Sequence, residues 1–378
     1  VFRSVYWGYG QRNLRAAHQI RRTPGVYSVY CSNYSCGPDS FLLHFYAHAM
    51  EGKPFAVIET DGHAGDAGTK TRIEAFLHCV HGDLRARDAA EASVPRDFAR
   101  AAATGPGLRS IRQEGRRLLI PRMGPGAEAL AACLRGAGFL AECLPMPDRD
   151  TVRTGRRHTS GKECLPMCIT LGSLLQRLER ERGTAERFAF LMPTTCGPCR
   201  FGVYHILHRL VLERLGWGDR VRLWSPSDRG YFSDVPAGLP ALVFSGFMAS
   251  DLLLEAYCDA LPAETRPGAA REVHARYTRE LLELLERAGR GVGLGTALWQ
   301  VSAGPLFGVT GLLDRAAADF AAIRGDRTLP VVIVAGEIYV RCDPFANDFV
   351  IDKLSRHGIR CRFAPFNEWI EYCDHASR

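Results

Sequence analysis

The chain has 378 residues, enough for two or three domains at about 150 residues each, with 46% hydrophobic and 24% charged residues, the balance of a protein with real cores. The formal charge of +7 comes mostly from arginines that are scattered along the chain, with no Lys/Arg block of the kind that marks a nucleic-acid groove. Such a basic surface leaves open an acidic protein partner or a phosphate-bearing ligand such as a nucleotide or coenzyme A.

No apolar stretch approaches the ~18 residues of a membrane span, and no signal-peptide pattern is present, so a cytoplasmic protein without a membrane is expected. The most apolar short run, PVVIVAGEIYV, reads as a buried strand. The chain opens with Val1 and VFRSVYWGYGQRNLRAA, which reads as though already inside a domain; the first lobe is expected to be truncated at its N-terminus. Thirteen cysteines, an odd number without the even ladder of a secreted scaffold, point to a reducing cytosol and to metal or redox chemistry where they cluster. Cys79, Cys133, Cys258 and Cys361 stand alone in apolar patterns and read as small buried hydrophobes.

In chain order, GVYSVYCS reads as a strand and SFLLHFYAHAMEG as a helix ending at Gly52. KPFAVIETD is a strand and TKTRIEAFLHCV a helix. Residues from about Gly82 to Gly115 are rich in Arg, Ala, Pro and Gly and read as a linker. RRLLIPRM is a strand, AEALAACLRGAG a helix closed by glycine, AECLPM a short strand and LGSLLQRLERER a helix. RFAFLMP, FGVYHILHRLVLERLG and RVRLWSP follow as strand, helix and strand. Helical stretches are expected over about Ala249 to Arg290 and Leu312 to Ile323, with GRGVGLGT as a helix–helix loop rather than a dinucleotide fingerprint, because no strand precedes it. Strand LPVVIVAG, helix NDFVIDKLSRHG and strand IRCRFAPF end the chain. This alternation predicts an α/β protein with doubly wound parallel sheets, in Rossmann-like lobes, with ligands beyond the carboxyl ends of the strands.

VYCSNYSCGPDSF and AFLMPTTCGPCRF share strand, short loop, Cys-Gly-Pro, two residues, Phe and helix, so Cys36 corresponds to Cys196 and Phe41 to Phe201. Pro38 and Pro198 suit a first helical turn, which puts the cysteines before them at helix N-termini, where the dipole favours a thiolate. Cys196-Gly-Pro-Cys199 is also the tetrapeptide of thioredoxins. A dithiol mechanism needs both cysteines, yet Asp39 stands for the second in the first copy, and Thr195 occupies the place of the usual tryptophan. A third corner, HTSGKECLPMCITLGSLLQ, leads from Cys164 into a helix, with Cys168 four residues on. Thiolates at Cys36, Cys164, Cys168, Cys196 and Cys199 suit an iron–sulfur cluster better than structural zinc, because corners of a sheet need no metal staple. Dithiol exchange at Cys196 and Cys199 and plain surface or buried thiols are the remaining alternatives.

Glu59, Asp61 and Asp66, with His63 among them, lie beyond one strand end; Glu337, Arg341, Cys342 and Asp343 lie beyond another. Each group suits ligand contact, and each residue equally suits loop capping or ion pairing. His44 and His48 lie four apart on a helix but lack a third ligand nearby in sequence, so they read as a surface or satisfied pair. No Walker A sequence and no Gly-x-Ser-x-Gly elbow occur, and ATP hydrolysis by this chain is not expected.

Taken together, NYSCGPDSFLLHF, IETDGHAGDAGTKTRIEAFL, SGKECLP, CGPCRFGVYHILHRLVLERLG and GEIYVRCDPFANDFVIDKL resemble the C-terminal region of large acyl-CoA dehydratase activase-related proteins, which is similar to 2-hydroxyacyl-CoA dehydratase subunits and double-cubane cluster proteins. The resemblance runs from about Tyr6 to Tyr372. It implies doubly wound lobes, an oxygen-sensitive [4Fe–4S] or double-cubane cluster held by cysteines, and an ATP-hydrolysing activase as electron donor. Carried over by motif, Cys36, Cys164 and Cys199 are the ligands; Cys196 is supported by the internal repeat and Cys168 by its helical spacing. Gly62 and Gly65 depart from the family pattern in the acidic loop.

The expectations are therefore a dehydratase-like lobe plus linker over 1–112 and a second lobe over 113–378. The expected function is a cluster-bearing low-potential electron-transfer or reductase module that works with an activase and is linked to acyl-CoA dehydration or small-molecule reduction. The alternatives are a 2-hydroxyacyl-CoA dehydratase-like lyase subunit and a non-catalytic scaffold domain that has lost its cluster. Acyl-CoA or a small molecule is the substrate class, a homodimer is possible, and no nucleic-acid partner is expected.

Overall fold

The computed structural model describes residues 5–34, 36–60, 65–87, 105–195, 197–227 and 235–365, together with Glu368, Tyr372 and His375. The protein is α/β, and among the described residues every pair of strands is parallel. It forms two compact units that interleave along the chain: Val1–Gly105 with His158–Met167 and Pro193–Gly218, and Pro106–Arg157 with Cys168–Met192 and Asp219–Arg378.

In the first unit, α1 (Gly8–Arg22), β1 (Ser28–Asn33), α2 (Asp39–Ala49), β2 (Phe55–Thr60) and α3 (Asp66–Arg87) follow in order. β1 and β2 pair in register from Ser28 opposite Phe55 to Asn33 opposite Thr60. Alternation in β1 buries Tyr30 and Ser32 and leaves Val29, Cys31 and Asn33 exposed, as period two requires. Leu14, Phe41, Phe45 and Met50 are fully buried, and α1 approaches α2 so closely that a methyl on Gly10 would sit 2.9 Å from the Leu42 side chain. The later segment adds a 3-10 turn (Arg200–Val203) and, in the element order, α8 (Tyr204–Arg214), whose Ile206, Leu207 and Leu210 are buried.

The second unit holds α4 (Leu108–Gln113), β3 (Arg117–Ile120), α5 (Gly126–Gly136), β4 (Ala141–Cys143), α6 (Arg149–Arg156), most of α7 (Leu165–Glu179), β5 (Phe188–Leu191) and β6 (Val221–Trp224). Then come α9 (Leu239–Ala260), α10 (Ala269–Gly289), α11 (Leu294–Ser302), α12 (Val309–Ala322), β7 (Val331–Val334), α13 (Ile338–Cys342), α14 (Val350–Arg356) and β8 (Arg360–Phe363). The main sheet has the order β4-β3-β5-β6, and its strand order reverses between β3 and β5. All four residues of β5 are buried, the continuous apolar run of a strand covered on both faces. A shared core joins Leu118, Ile120, Ala189 and Leu191 of the sheet to Leu134, Leu242, Leu281, Leu285 and Phe320 of the helices. α5 and α10 cross at Gly136 and Gly289, where a methyl on Gly136 would strike the Glu286 carbonyl and lie 2.8 Å from the Gly289 Cα.

Several expectations are corrected. The stretch from Gly82 is not all linker: α3 runs to Arg87 and α4 occupies Leu108–Gln113, while 88–104 lies outside the described residues. The helical region expected from Ala249 begins ten residues earlier at Leu239, and it divides into α9 and α10, with α11 following. Leu239–Ala263 is long and apolar enough to cross a membrane by length and composition, against the expectation of no such stretch; here it packs with Leu242, Val243, Ala249 and Leu253 buried. β7, expected to be buried, is exposed at Val331, Val332 and Ile333; among the described residues it pairs only with β8, in a two-stranded sheet. Cys79 is exposed on α3, whereas Cys133, Cys258 and Cys361 are buried as expected.

Candidate functional site

Three chain corners of the first unit meet around one arginine and one tyrosine. β1 ends at Asn33, and the chain turns with the Cys36 amide donating to the Asn33 carbonyl at 2.9 Å. α2 then starts at Asp39 behind Pro38, and Ser40 Oγ donates to the Gly37 carbonyl at 2.6 Å. The Asp39 carboxylate faces the strand, accepting from the Tyr30 hydroxyl at 2.8 Å and from Ser32 Oγ at 2.7 Å. The residue at the second-cysteine position of the first copy is therefore a tie between helix and strand. Burial, with Asp39 as acceptor, pushes the Tyr30 phenol up.

The second corner is residues 158–164. Gly161 takes φ +86°, and the loop folds around Glu163, which accepts from the Ser160 amide at 2.9 Å, Ser160 Oγ at 2.8 Å and the Gly161 amide at 3.0 Å. The fourth partner is His44 of α2, in direct contact with the same carboxylate. Burial alone would raise Glu163, but the bonds from His44 and Ser160 outweigh it and hold the carboxyl at about 2. Lys162 pairs with Glu59 at the end of β2, and its ammonium lies 5.4 Å from the centre of the Tyr34 ring. These contacts fix Cys164 directly before α7.

The third corner follows β5. Cys199 caps the 3-10 turn, with the Gly202 amide donating to its carbonyl at 3.2 Å, and Trp7 Nε1 donates to the Pro198 carbonyl at 3.1 Å. Arg200 extends to Gly37, where a methyl would stand 3.5 Å from the guanidinium carbon. The same guanidinium acts on Cys164, together with the Tyr204 hydroxyl, which hydrogen-bonds the Cys164 sulfur. Burial raises the Cys164 thiol, Tyr204 and Arg200 oppose that rise, and the neighbouring Cys199 adds to it. The Tyr204 ring stacks on Phe41 at 5.5 Å between centroids and meets Phe201 edge-on at 5.4 Å. The two phenylalanines equated by the internal repeat therefore converge on one tyrosine.

Of the expected thiols, Cys36, Cys164 and Cys199 lie on these three corners, with Cys36 and Cys164 half-buried and Cys199 exposed. Cys196 lies outside the described residues, as do Asp61 and His63. Cys168 belongs to the second unit, buried in α7 with its carbonyl against Gly155. Among the described residues, no three His, Cys, Asp or Glu side chains gather closely enough to hold a metal ion by themselves. His44, read as one of a satisfied pair, is satisfied by Glu163. In the second unit, Glu337 caps α13 by accepting from the Val340 amide at 2.8 Å. Asp343 is buried, accepts from the Ala346 amide at 2.8 Å, and burial raises its carboxyl. Glu337 and Asp343 thus act as loop caps.

Sequence reasoning missed Arg200, Tyr204, Trp7 and the Glu163–His44 pair. The signals were the arginine directly after Cys199 and the Lys-Glu directly before Cys164. No protein-family model matches the chain, and no curated protein or solved structure matches it.

Proposed function

We propose that the protein is an iron–sulfur cluster-bearing module for low-potential electron transfer or reduction. In this reading it works with an ATP-hydrolysing activase and is linked to acyl-CoA dehydration or to reduction of a small molecule. The observation that carries the reading is the meeting of the Cys36, Cys164 and Cys199 corners around the Arg200 guanidinium. The donor set fits the group: thiolates are the soft ligands that iron–sulfur clusters take, and a guanidinium offsets the negative charge of several thiolates. Cys36, Cys164 and Cys199 would hold the cluster, with Cys196 as the fourth ligand; bound there, it supplies one-electron transfer at low potential.

The chain's own residues have distinct tasks in this account. Tyr204 donates a hydrogen bond to the Cys164 sulfur, the kind of contact that tunes the potential of a thiolate-held centre. Trp7 pins the Pro198 carbonyl and so sets the Cys199 turn. Glu163, with its four donors, holds the loop that presents Cys164. A doubly wound, Rossmann-like architecture belongs to the same proposal. It is supported by the β4-β3-β5-β6 order and by β5 leading directly into the Cys-Gly-Pro-Cys loop, since ligands in such sheets sit beyond carboxyl ends where strand order reverses.

The test is iron and acid-labile sulfide analysis after anaerobic purification. Cys36→Ser and Cys164→Ser each lower the iron content, and Cys258→Ser, in the core of the second unit, does not. Equal iron in all three variants refutes the assignment.

A further inference from the structure

The second unit carries a cleft that the cluster reading does not use. Its wall is α6, with the sequence RDTVRTGR followed by Arg157. Asp148 opens the helix with a capping box: its carboxylate accepts from the Thr151 amide at 2.7 Å, and its own amide donates to Thr151 Oγ1 at 3.2 Å. With the start of the helix fixed, Arg149, Arg153, Arg156 and Arg157 recur at i, i+4, i+7 and i+8 and share one face. The opposite face holds Thr151 and Gly155, both buried. A methyl on Gly155 would strike the Cys168 carbonyl, and one on Gly172 the Thr151 carbonyl. α6 is thus pressed backbone to backbone against α7, and its arginine face cannot roll away.

The arginines border a cleft of about 540 Å³ lined by Arg149, Val152, Arg153, Arg156, Arg157 and Phe345. That size falls within the range of small-molecule sites, ~300–1,000 Å³. Phe345 is held in place by its own loop. The Asp343 carboxylate accepts from the Ala346 amide at 2.8 Å, the Asn347 amide donates to the Asp343 carbonyl at 3.1 Å, and the Phe349 amide donates to the Pro344 carbonyl at 2.7 Å. Asp150 pairs with Arg153 at 2.6 Å across one exposed helical turn, and Asp348, whose charge Arg149 also senses, pairs with Lys353.

We propose that this cleft binds a nucleoside diphosphate. Guanidinium groups take phosphate oxygens two at a time, and four of them suit two linked phosphates better than one. The Val152 and Phe345 side chains give an apolar wall on which the flat base rests. Both parts of the ligand are needed to match both parts of the cleft. This site is independent of the thiol corners and of any cluster they hold.

The test is calorimetric titration of the full chain with ADP, inorganic pyrophosphate, adenosine and a single-stranded oligonucleotide at fixed salt. ADP binds, pyrophosphate binds about tenfold more weakly, and adenosine does not bind. The double variant Arg153→Gln/Arg156→Gln loses at least tenfold in ADP affinity, with its thermal midpoint confirming the fold. Phe345→Ala weakens ADP and leaves pyrophosphate unchanged, which provides an independent readout if the double variant is unstable. No ADP binding at millimolar concentration, or ADP binding unchanged in both variants, overturns the proposal. An oligonucleotide that binds more tightly than ADP, with affinity growing with its length, also overturns it and assigns the face to nucleic acid.

Discussion

His208 lies on α8, fully buried, with Nδ1 2.7 Å from the Tyr204 carbonyl oxygen. Burial pushes the imidazole down to about 4, and the Tyr204 carbonyl recovers only part of the shift. A histidine whose folded pKa lies below its unfolded value of 6.5 leaves the unfolded chain as the better proton acceptor. Its penalty is absent above pH 6.5, grows as the pH falls from there, and levels off below pH 4. At pH 4.5 the unfolded imidazole is almost wholly protonated and the folded one only about a quarter so; the difference is about 2.5 kcal/mol of lost stability. His208→Leu removes the titrating group at similar volume. Hydrogen exchange of the α8 amides, corrected for intrinsic rates, reads the local opening free energy at pH 7 and pH 4.5. The wild-type value falls by about 2.5 kcal/mol more than the variant's over that interval. His205, held low by burial and by Arg209 and His208, keeps a step of the same sign in both proteins. Parallel pH curves for wild type and variant would show that the buried His208 imidazole does not carry the acid loss of stability.

Removing the Glu163 carboxylate with Glu163→Ala strands three donors of the 158–163 loop and His44, and lowers stability by about 2–3 kcal/mol in urea unfolding at pH 7; a change below ~0.5 kcal/mol would contradict the anchoring role. Gly136→Val forces α5 from α10 and costs about 3 kcal/mol, read as a lowered thermal midpoint of the second unit, whereas Gly183→Ala, with open space around it, leaves that midpoint unchanged. In timed alkylation of the native protein without metal, exposed Cys31, Cys79 and Cys199 react first. Cys133 and Cys143, both pushed up to about 12 by burial, react later than these; early labelling of Cys133 would contradict the packing of α5.

Strands and helices were largely legible because their signals are local. Apolar runs such as FAFL bounded by turn residues read as strands, and glycine after AEALAACLRG marked a helix end. Coverage was not legible. VVIV is as apolar as FAFL, yet it lies exposed in a two-stranded sheet, because a sequence run reports its own character and not the layer packed over it. The start of α9 at Leu239 was hidden for a related reason: LPALVFSGFM is apolar all round and shows no helical period. At the candidate site, the cysteine corners announced themselves through Cys-Gly-Pro and Gly-Lys-Glu-Cys. What joins them did not. Arg200 meets Gly37 across more than 160 positions of chain, and Tyr204 reads in isolation as one more residue of an amphipathic helix.

The most direct measurement is the low-temperature electron paramagnetic resonance spectrum of the anaerobically purified, chemically reduced protein, taken beside Cys164→Ser. The expected result is an iron–sulfur signal, with matching iron and sulfide, that is lost or strongly reduced in the variant. A reduced wild-type protein without signal or iron, or a signal of equal intensity in the variant, contradicts it.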